Sequence, residues 1–276
     1  MIVLVLLGIV GTALTRLLVQ QSRIFSRQQG QRESRLVTRN GLNLVLSELR
    51  TAQDTLAVDL AGSDHRSVRV ELPYVFGVAC GSSGGATIVR TSPMDSAIQS
   101  NVRPAGYRWR NSGNGLWVTL AGAFQSQAGT AADSTVCAGA GVLPLSSAEG
   151  RPGLLLRLQP DAAVPAGTLV SLVQRVTYSF APTTVYSGGY GLFRSTGATN
   201  EELLGPFDST ARFRYFVPNS DVAVNAVPAP ISQIRGLEFV LHGRSERAVR
   251  QVGGGQLSAV SRRDTVAVYF KNTRRF

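Results

Sequence analysis

Few residues of this chain could act as acids, bases or nucleophiles. His65 and His242 are the only histidines among 276 residues. The run Gly81-Ser82-Ser83-Gly84 departs from the G-x-S-x-G pattern that exposes a catalytic serine on a sharp turn. Asp64 and His65 could join a distant serine, but in a stretch of Gly, Ser, Asp and Arg they are more typical of a turn with a surface histidine. We therefore expect no enzymatic activity, no catalytic residue and no cofactor.

Cys80 and Cys137 are the only cysteines, and both lie in loop-like sequence rich in Gly, Ser and Ala. Neither a C-x-x-C motif nor a nearby histidine cluster accompanies them, which argues against a metal site. In an oxidising compartment the pair could form a disulfide that closes a loop of about 57 residues and adds a few kcal/mol of stability. Two buried, independent thiols are the alternative.

Arginine dominates the charge of the chain. Lys and Arg exceed Asp and Glu by 28 to 17, for a net charge of +11, and Lys271 is the only lysine. A basic surface can bind nucleic acid, anionic lipid or an acidic partner, although a solvated basic face is the simpler interpretation. The candidate anion or partner contacts are Arg16, Arg23, Arg27, Arg108 and Arg110. The aromatic residues around Arg108 would suit base stacking, but Trp109 on an alternating strand is more typical of a core residue.

The elements that must position these residues begin with one long helix. No proline occurs before Pro73, and residues 1–15 carry no charge. Leu42, Val45, Leu46 and Leu49 recur at three- and four-residue spacing, so one apolar face should dock on the rest of the molecule. A helix that continues to about residue 54 would be roughly 80 Å long, and half of it must protrude. We predict a membrane or filament-core half over 1–20 and an amphipathic half over 21–54.

The apolar run at the N-terminus is shorter than the roughly 18 to 20 residues that cross a bilayer. A secretory signal peptide with a weak cleavage site at Gly11-Thr12-Ala13 is one alternative, in which case the mature chain would be a secreted β-rich protein or enzyme; a basic n-region is absent. The side chains expected to contact membrane or neighbouring helices are Ile2, Leu4, Leu6, Leu7, Ile9, Leu14, Leu17 and Leu18.

Residues 55–276 predict a single β-rich head. Stretches that alternate at period two favour strands over 68–72, 107–110, 116–120, 154–158 and 176–180. Glycine-rich breaks at 81–85, 111–115 and 187–189 are interpreted as turns, and 122–148 as a long exposed loop that Cys137 could tie down. The sequence thus predicts an α+β protein in which a long N-terminal α-helix, its apolar half protruding, packs on a predominantly antiparallel β-rich head.

The N-terminal residues carry a family resemblance. Met-Ile-Val-Leu-Val-Leu-Leu-Gly-Ile-Val-Gly-Thr-Ala-Leu, residues 1–14, resembles the N-terminal helix of type IV prepilins and pseudopilins. In that family a cleavage glycine and a Phe-Thr-Leu-Ile-Glu-Leu-like segment come first, and in this chain they would lie upstream of Met1. We expect that the start is an internal methionine and that about six mature residues and a leader precede it, which would extend the apolar run to about 20 residues.

A second stretch narrows the resemblance. Residues 39–50, Arg-Asn-Gly-Leu-Asn-Leu-Val-Leu-Ser-Glu-Leu-Arg, are similar to the segment of PilW-type minor pilins and of J-type pseudopilins of type II secretion where the helix meets the head. Segments 190–195, 234–239 and 265–272 resemble the strand-rich ends of those heads. The resemblance implies a pilin-like fold.

The resemblance also implies a function and a location. It indicates a minor pilin or pseudopilin, a structural subunit of a bacterial type IV pilus or type II secretion filament. Its partners would be other pilin subunits, inner-membrane lipid and a prepilin peptidase. The head would be periplasmic behind a single inner-membrane pass before assembly, although the positive-inside rule alone would place the arginine-rich side in the cytoplasm. A DNA-binding minor pilin for DNA uptake is the alternative, with nucleic acid as a less favoured partner.

Overall fold

The computed structural model describes residues 2–49, 64–93, 104–115, 117–120, 123–146, 150, 153–196, 199–229, 233–250 and 257–269. Helix α1 (Ile2–Leu49) comes first, and residues 50–54 of the predicted helix lie outside the described residues. The elements that follow are β1 (Ser67–Ser83), β2 (Ala86–Thr91), β3 (Gly106–Arg110), β4 (Trp117–Thr119), β5 (Gln125–Ala128), α2 (Ala131–Gly139), β6 (Leu155–Gln159), β7 (Leu169–Pro182), β8 (Tyr190–Ser195), β9 (Asn200–Phe207), β10 (Arg212–Phe216), β11 (Gly236–Arg250) and β12 (Leu257–Tyr269).

Two long strands form the spine of the sheet. β1 has 17 residues and β7 has 14, and they pair antiparallel from Ser67 opposite Ser179 to Val78 opposite Leu169. The order across the sheet is β10-β11-β9-β8-β7-β1-β2-β6-β5, with β12 on β11 and the β3–β4 pair on β7. Every strand pairing in the described part of the chain is antiparallel. The predicted α+β class is confirmed.

The spine carries a different group of elements at each of its ends, and we name these two groups. The helix-side lobe consists of α1, β8 to β12 and the adjoining halves of β1 and β7. The distal lobe consists of β2 to β6, α2 and the other halves of the two spine strands. In the helix-side lobe β10 also returns to the start of β1, where the Phe213 amide donates to the His65 carbonyl at 2.8 Å.

Each lobe has its own apolar core. In the helix-side lobe, Leu42, Val45 and Leu49 of α1 pack with buried aromatic rings such as Phe213 and Phe239, whose centroids are 5.3 Å apart. Buried residues of β1 occur at every second position, at Val68, Val70 and Leu72, as the pleat requires. The distal core is built around Tyr107, Leu156, Leu158 and Leu172, and a small cluster around the two cysteines adjoins it.

Most sequence-based expectations for the strands and turns of the head agree with the structure; the one for 122–148 is wrong, and the one for 81–85 holds only in part. The predicted strands fall in β1, β3, β4, β6 and β7, and turns lie within 111–115 and 187–189. The segment 122–148, predicted as an exposed loop, contains β5 and α2 instead. Its alanines favour helix, and Thr130 and Asp133 form a capping box at the N-terminus of α2. The glycine-rich run 81–85 divides: residues 81–83 belong to β1, and Gly84 and Gly85, with φ of +54° and +72°, form the two-residue hairpin turn.

Candidate assembly surface

Helix α1 changes its surroundings at Gly30. Every residue from 7 to 29 is exposed, whereas Gly30, Ser34, Thr38 and Gly41 are buried against the head. These four residues recur every three or four positions and so lie on one helix face. We call this face the seam. It divides α1 into a protruding half, residues 2–29, and a docked half, residues 30–49.

Small residues on both sides let the seam close tightly. A Cβ on Gly30 would lie 3.3 Å from the Ser245 Cβ, and one on Gly243 would overlap the Thr38 hydroxyl and the Ser34 carbonyl oxygen. The two buried hydroxyls are satisfied within the helix: Ser34 donates to the Gln31 carbonyl at 3.0 Å, and Thr38 to the Ser34 carbonyl at 2.8 Å. Burying them therefore leaves no donor unpaired. The backbone of α1 thus lies directly on β11.

C-terminal to the seam, the docked half buries an apolar stripe. Leu42, Val45 and Leu49 lie in the helix-side core, and Leu46 packs against it. The predicted apolar face of this half is therefore confirmed.

A polar contact fixes the C-terminal end of this stripe. The Tyr178 hydroxyl donates to Glu48, and the Arg194 Nε lies 3.1 Å from the same carboxylate oxygen. Burial, and then the Glu48 carboxylate, raise the pKa of Tyr178, so the phenol remains a hydrogen-bond donor. Burial alone would lower the pKa of Arg194, but the same carboxylate raises it. The end of α1 is thus tied to both β7 and β8.

The protruding half is apolar on all sides up to Thr15, and from Arg16 to Gln29 exposed apolar side chains alternate with arginine, glutamine and serine. Leu7, Leu14 and Leu18 are 66%, 57% and 64% exposed, and Phe25 is 68% exposed. Ile9 and Leu17 are exposed as well, while the side chains of Ile2, Leu4 and Leu6 lie outside the described ones. Within the described residues no helix combines the length and apolar character needed to cross a membrane. A helix that is apolar all round normally lies buried in a larger assembly or in a membrane.

The five candidate arginines lie in different environments. Arg16, Arg23 and Arg27 are exposed on the protruding half. Arg110 is exposed on the distal lobe, where its Nε donates to the Gly115 carbonyl at 3.2 Å.

The prediction of a surface contact at Arg108 is wrong. This residue is only 4% exposed, and its guanidinium lies 5.6 Å from the Trp117 ring centroid. The reason is that β3 is flanked by β4 and β7, which together enclose the side chain. Trp109 packs against the distal core, in line with its interpretation as a core residue.

Cys80 and Cys137 form a disulfide that joins β1 to α2, with a Cα–Cα distance of 4.6 Å. One turn before Cys137, the fully buried Asp133 pairs with Arg157 of β6. Burial alone would raise the pKa of Asp133, but hydrogen bonds from Thr130 and Arg157 hold it below its usual value. A covalent bond and a buried ion pair thus fix α2 to the distal sheet.

Part of the basic charge is neutralised inside the head. Five arginines of the described residues pair with carboxylates, namely Arg157 with Asp133, Arg175 with Glu71, Arg194 with Glu48, Arg214 with Glu238, and Arg262 with Asp264. The arginines of the protruding half have no such partner in the described part of the chain. The positive charge of Arg16, Arg23 and Arg27 is therefore not neutralised within the described part of the chain.

The histidines do not form a catalytic arrangement in the described residues. The Asp64 carboxylate accepts hydrogen bonds from the Arg66 and Ser67 amides at 2.7 and 2.6 Å, so Asp64 and exposed His65 form the predicted turn. His242 on β11 contacts the Thr210 hydroxyl, and burial together with the charge of Arg263 lowers its pKa. No group of three His, Cys, Asp or Glu suited to a metal ion occurs in the described part of the chain.

Comparisons with protein-family models, with curated proteins and with solved structures give no match to the chain.

Sequence reasoning missed the seam, although its spacing was a usable signal. Gly30, Ser34 and Thr38 place a small residue at every fourth position, a pattern that allows close backbone approach, and they lead into the apolar stripe at Leu42. The seam, together with the exposed apolar residues N-terminal to it, makes α1 the candidate assembly surface of the molecule.

Proposed function

We propose that this protein is a minor pilin or pseudopilin, a structural subunit of a type IV pilus or of a type II secretion filament. The observation that carries the proposal is the division of α1 at Gly30. Its docked half is seated on the head by small residues and an apolar stripe, while its protruding half exposes large apolar side chains on every side. A filament subunit needs this division, because one half of its helix must hold the head while the other half packs against neighbouring helices.

Energetics support a buried environment for the protruding half. Burying one Leu, Ile or Phe side chain contributes about 1.5 to 3 kcal/mol. Leu7, Leu14, Leu18 and Phe25, all more than half exposed, would together gain several times that amount in a membrane or against neighbouring helices. Residues 2–29 would extend about 40 Å from the head, enough to reach several neighbours in a helical bundle. The helix therefore supplies packing, and the head supplies specificity for other minor subunits.

The location follows from the same features. We place the protruding half first in the inner membrane and the head in the periplasm, before the subunit enters its filament. The Cys80–Cys137 disulfide supports an oxidising compartment, because such bonds persist in the periplasm and outside the cell.

The test is a pair of charges in the protruding half. Leu7→Arg combined with Ile9→Arg should remove the protein from the membrane and filament fractions by more than about tenfold, because each arginine within the apolar run costs about 2.5 to 3.5 kcal/mol on insertion. Leu7 and Ile9 are both more than half exposed in the free chain. Cells that lack the native chain and express the variant are fractionated, and sheared surface filaments are probed separately. Leu143→Arg is the matched control, since Leu143 is 76% exposed but lies in the distal lobe. Equal recovery of both variants from the filament fraction would contradict the proposal.

A further inference from the structure

A groove lies where α1 leaves the head, between the helix and the end of β11. Its volume is about 270 Å³, several times that of a water molecule, and its lining includes Arg23 and the Ser22 hydroxyl from α1 and Arg247 from β11. Among the described residues of the lining Glu33 is the one carboxylate, and it already accepts a hydrogen bond from the Gln29 amide at 3.2 Å. The groove therefore presents mainly hydrogen-bond donors and positive charge.

The arginines of the protruding half lie on the groove side of α1. Arg16, Arg23 and Arg27 are separated by seven and four residues, so at about 100° per residue they fall within about 40° of one another. By the same arithmetic they share a face with Gly30 and Ser34, which contact the head. With Arg247 they form a strip of four arginines, which we call the basic strip.

A copy of this chain could not neutralise the basic strip with the matching part of its helix. Residues 2–32 contain no Asp or Glu, and Glu33 is the first acidic residue of the chain. Parallel helices of identical subunits would instead bring arginines together. The counter-charge must therefore come from outside this part of a neighbouring copy.

The position of the basic strip indicates which molecule that is. If the apolar run up to Thr15 lies in the hydrocarbon, the residues from Arg16 to Arg27 cover the next 16 Å or so along the helix. A headgroup layer is about 5 to 8 Å thick, so Arg16 lies within it. Arg23 lies about 4 to 7 Å beyond it and Arg27 about 10 to 13 Å beyond it, which is roughly within the Debye length of about 8 to 10 Å over which an anionic surface attracts them. Planar guanidinium groups bind phosphate through paired hydrogen bonds.

From charge, donor chemistry and position together, we infer that the basic strip binds anionic membrane phospholipid, with Arg16 at the phosphates and the other arginines attracted to the charged headgroup surface. This inference rests on the proposed function, because it needs the protruding half to be in a membrane. The bound headgroup would hold the head at a fixed height and rotation above the bilayer, with the basic strip facing the lipid.

The full chain can be tested by flotation with vesicles of phosphatidylcholine alone and with vesicles in which a third of the lipid is phosphatidylglycerol. The wild type should bind both and prefer the anionic vesicles. The variant R16Q/R23Q/R27Q should lose at least about tenfold of that preference, since each arginine near an anionic surface adds roughly fivefold in affinity. Arg247→Gln, on the head, should lose part of it. Inorganic phosphate at equal ionic strength should not displace the protein.

The matched control is R32Q/R35Q/R39Q, which removes the same charge from exposed positions on the other side of α1. It should keep most of the anionic preference.

Equal losses in the two triple variants, or competition by inorganic phosphate, would overturn the lipid site. Arginine variants that bind anionic vesicles like the wild type but lose co-purifying subunits would assign the basic strip to an acidic protein instead. Failure of the wild type to bind either vesicle would overturn the membrane placement itself, whereas equal binding to both would overturn this inference alone.

Discussion

Single charged or hydrogen-bonding residues fix each of the two helices, α1 and α2, to the sheet. Glu48 at the end of α1 accepts from Tyr178 and pairs with Arg194, and Asp133 in α2 pairs with Arg157. Neither contact is evidence of a large net stabilisation, because desolvating the charges offsets much of their attraction. Their effect is positional. Each contact favours one position of its helix on the sheet, because any other position would leave a charged group without its partner.

The first residue-scale prediction concerns Tyr178. Tyr178→Phe should lower the free energy of unfolding by about 1 to 2 kcal/mol, because the partly buried Glu48 carboxylate loses a donor while the ring packing is kept. Urea unfolding followed by circular dichroism measures the change. Tyr269→Phe is the control, since Tyr269 is 60% exposed, and it should change the free energy by less than about 0.5 kcal/mol. Equal effects of the two variants would show that the Glu48 contact does not fix the helix end.

The second residue-scale prediction is a pH dependence with two limbs. The folded-state pKa of Asp133 lies below its usual value, so its contribution is present above the unfolded pKa of about 4 and is lost as the pH falls further. Burial raises the pKa of Tyr178, so its contribution is present below about pH 10 and is lost as the pH rises beyond that value.

Urea midpoints measured across pH should therefore fall at both extremes. Asp133→Asn should flatten the acid limb and Tyr178→Phe the alkaline limb, each leaving the other limb in place. An acid limb of unchanged steepness in Asp133→Asn would contradict the role given to that carboxylate.

At the scale of elements, the two parts of α1 differ in how much the sequence alone predicts. The stripe at Leu42, Val45 and Leu49 is foreseeable, because apolar residues at helical spacing need a partner wherever that partner comes from. The seam is only partly foreseeable: Gly30, Ser34 and Thr38 place a small residue at every fourth position, which permits close packing, but the sequence does not show what packs there. They become buried only because Gly243 and Ser245, some 200 residues later in the chain, bring β11 against them.

The distal lobe shows the same limit of sequence reasoning. Segment 122–148 has the composition of a loop, but its capping box and its disulfide to β1 give it a helix. Residue type predicts that Arg108 lies on the surface, but neighbouring strands enclose its side chain. The capping box of α2 is local and could have been read from the sequence. The disulfide partner of α2 and the strand β7 beside Arg108 are distant in sequence, and residue type and spacing do not reveal them.

The element-scale prediction tests the seam. Gly243→Ala should destabilise docking of α1 by about 1 to 3 kcal/mol, because the added methyl overlaps atoms of Ser34 and Thr38 in a packed interface. Hydrogen exchange of the amides in residues 30–49 should become faster. Gly106→Ala is the matched control, a strand glycine whose added Cβ would meet only the Val173 Cγ2 at an ordinary 3.6 Å. Slow exchange retained throughout the docked half of Gly243→Ala would contradict the account of the seam.

At the scale of the whole molecule, α1 and the β1–β7 spine connect the protruding half to the distal lobe. The docked half of α1 fixes the helix to the helix-side lobe, and the spine strands continue from there into the distal lobe. An assembly that places the protruding half therefore also places the disulfide-bonded end of the head. This arrangement suits a subunit whose helix sets its position and whose head displays a surface to partners.

The proposed function requires the protruding half to pack against the helices of other filament subunits. It is tested most directly by replacing Leu14 with photoreactive benzoylphenylalanine in the full chain, irradiating intact cells and identifying the cross-linked peptides by mass spectrometry. The same replacement at Leu143, which is exposed on the distal lobe, is the control. We expect the photoreactive residue at position 14 to capture apolar N-terminal helices of pilin or pseudopilin subunits, and the one at position 143 not to. Cross-links from position 14 to lipid alone, or to no subunit, would contradict the proposed function.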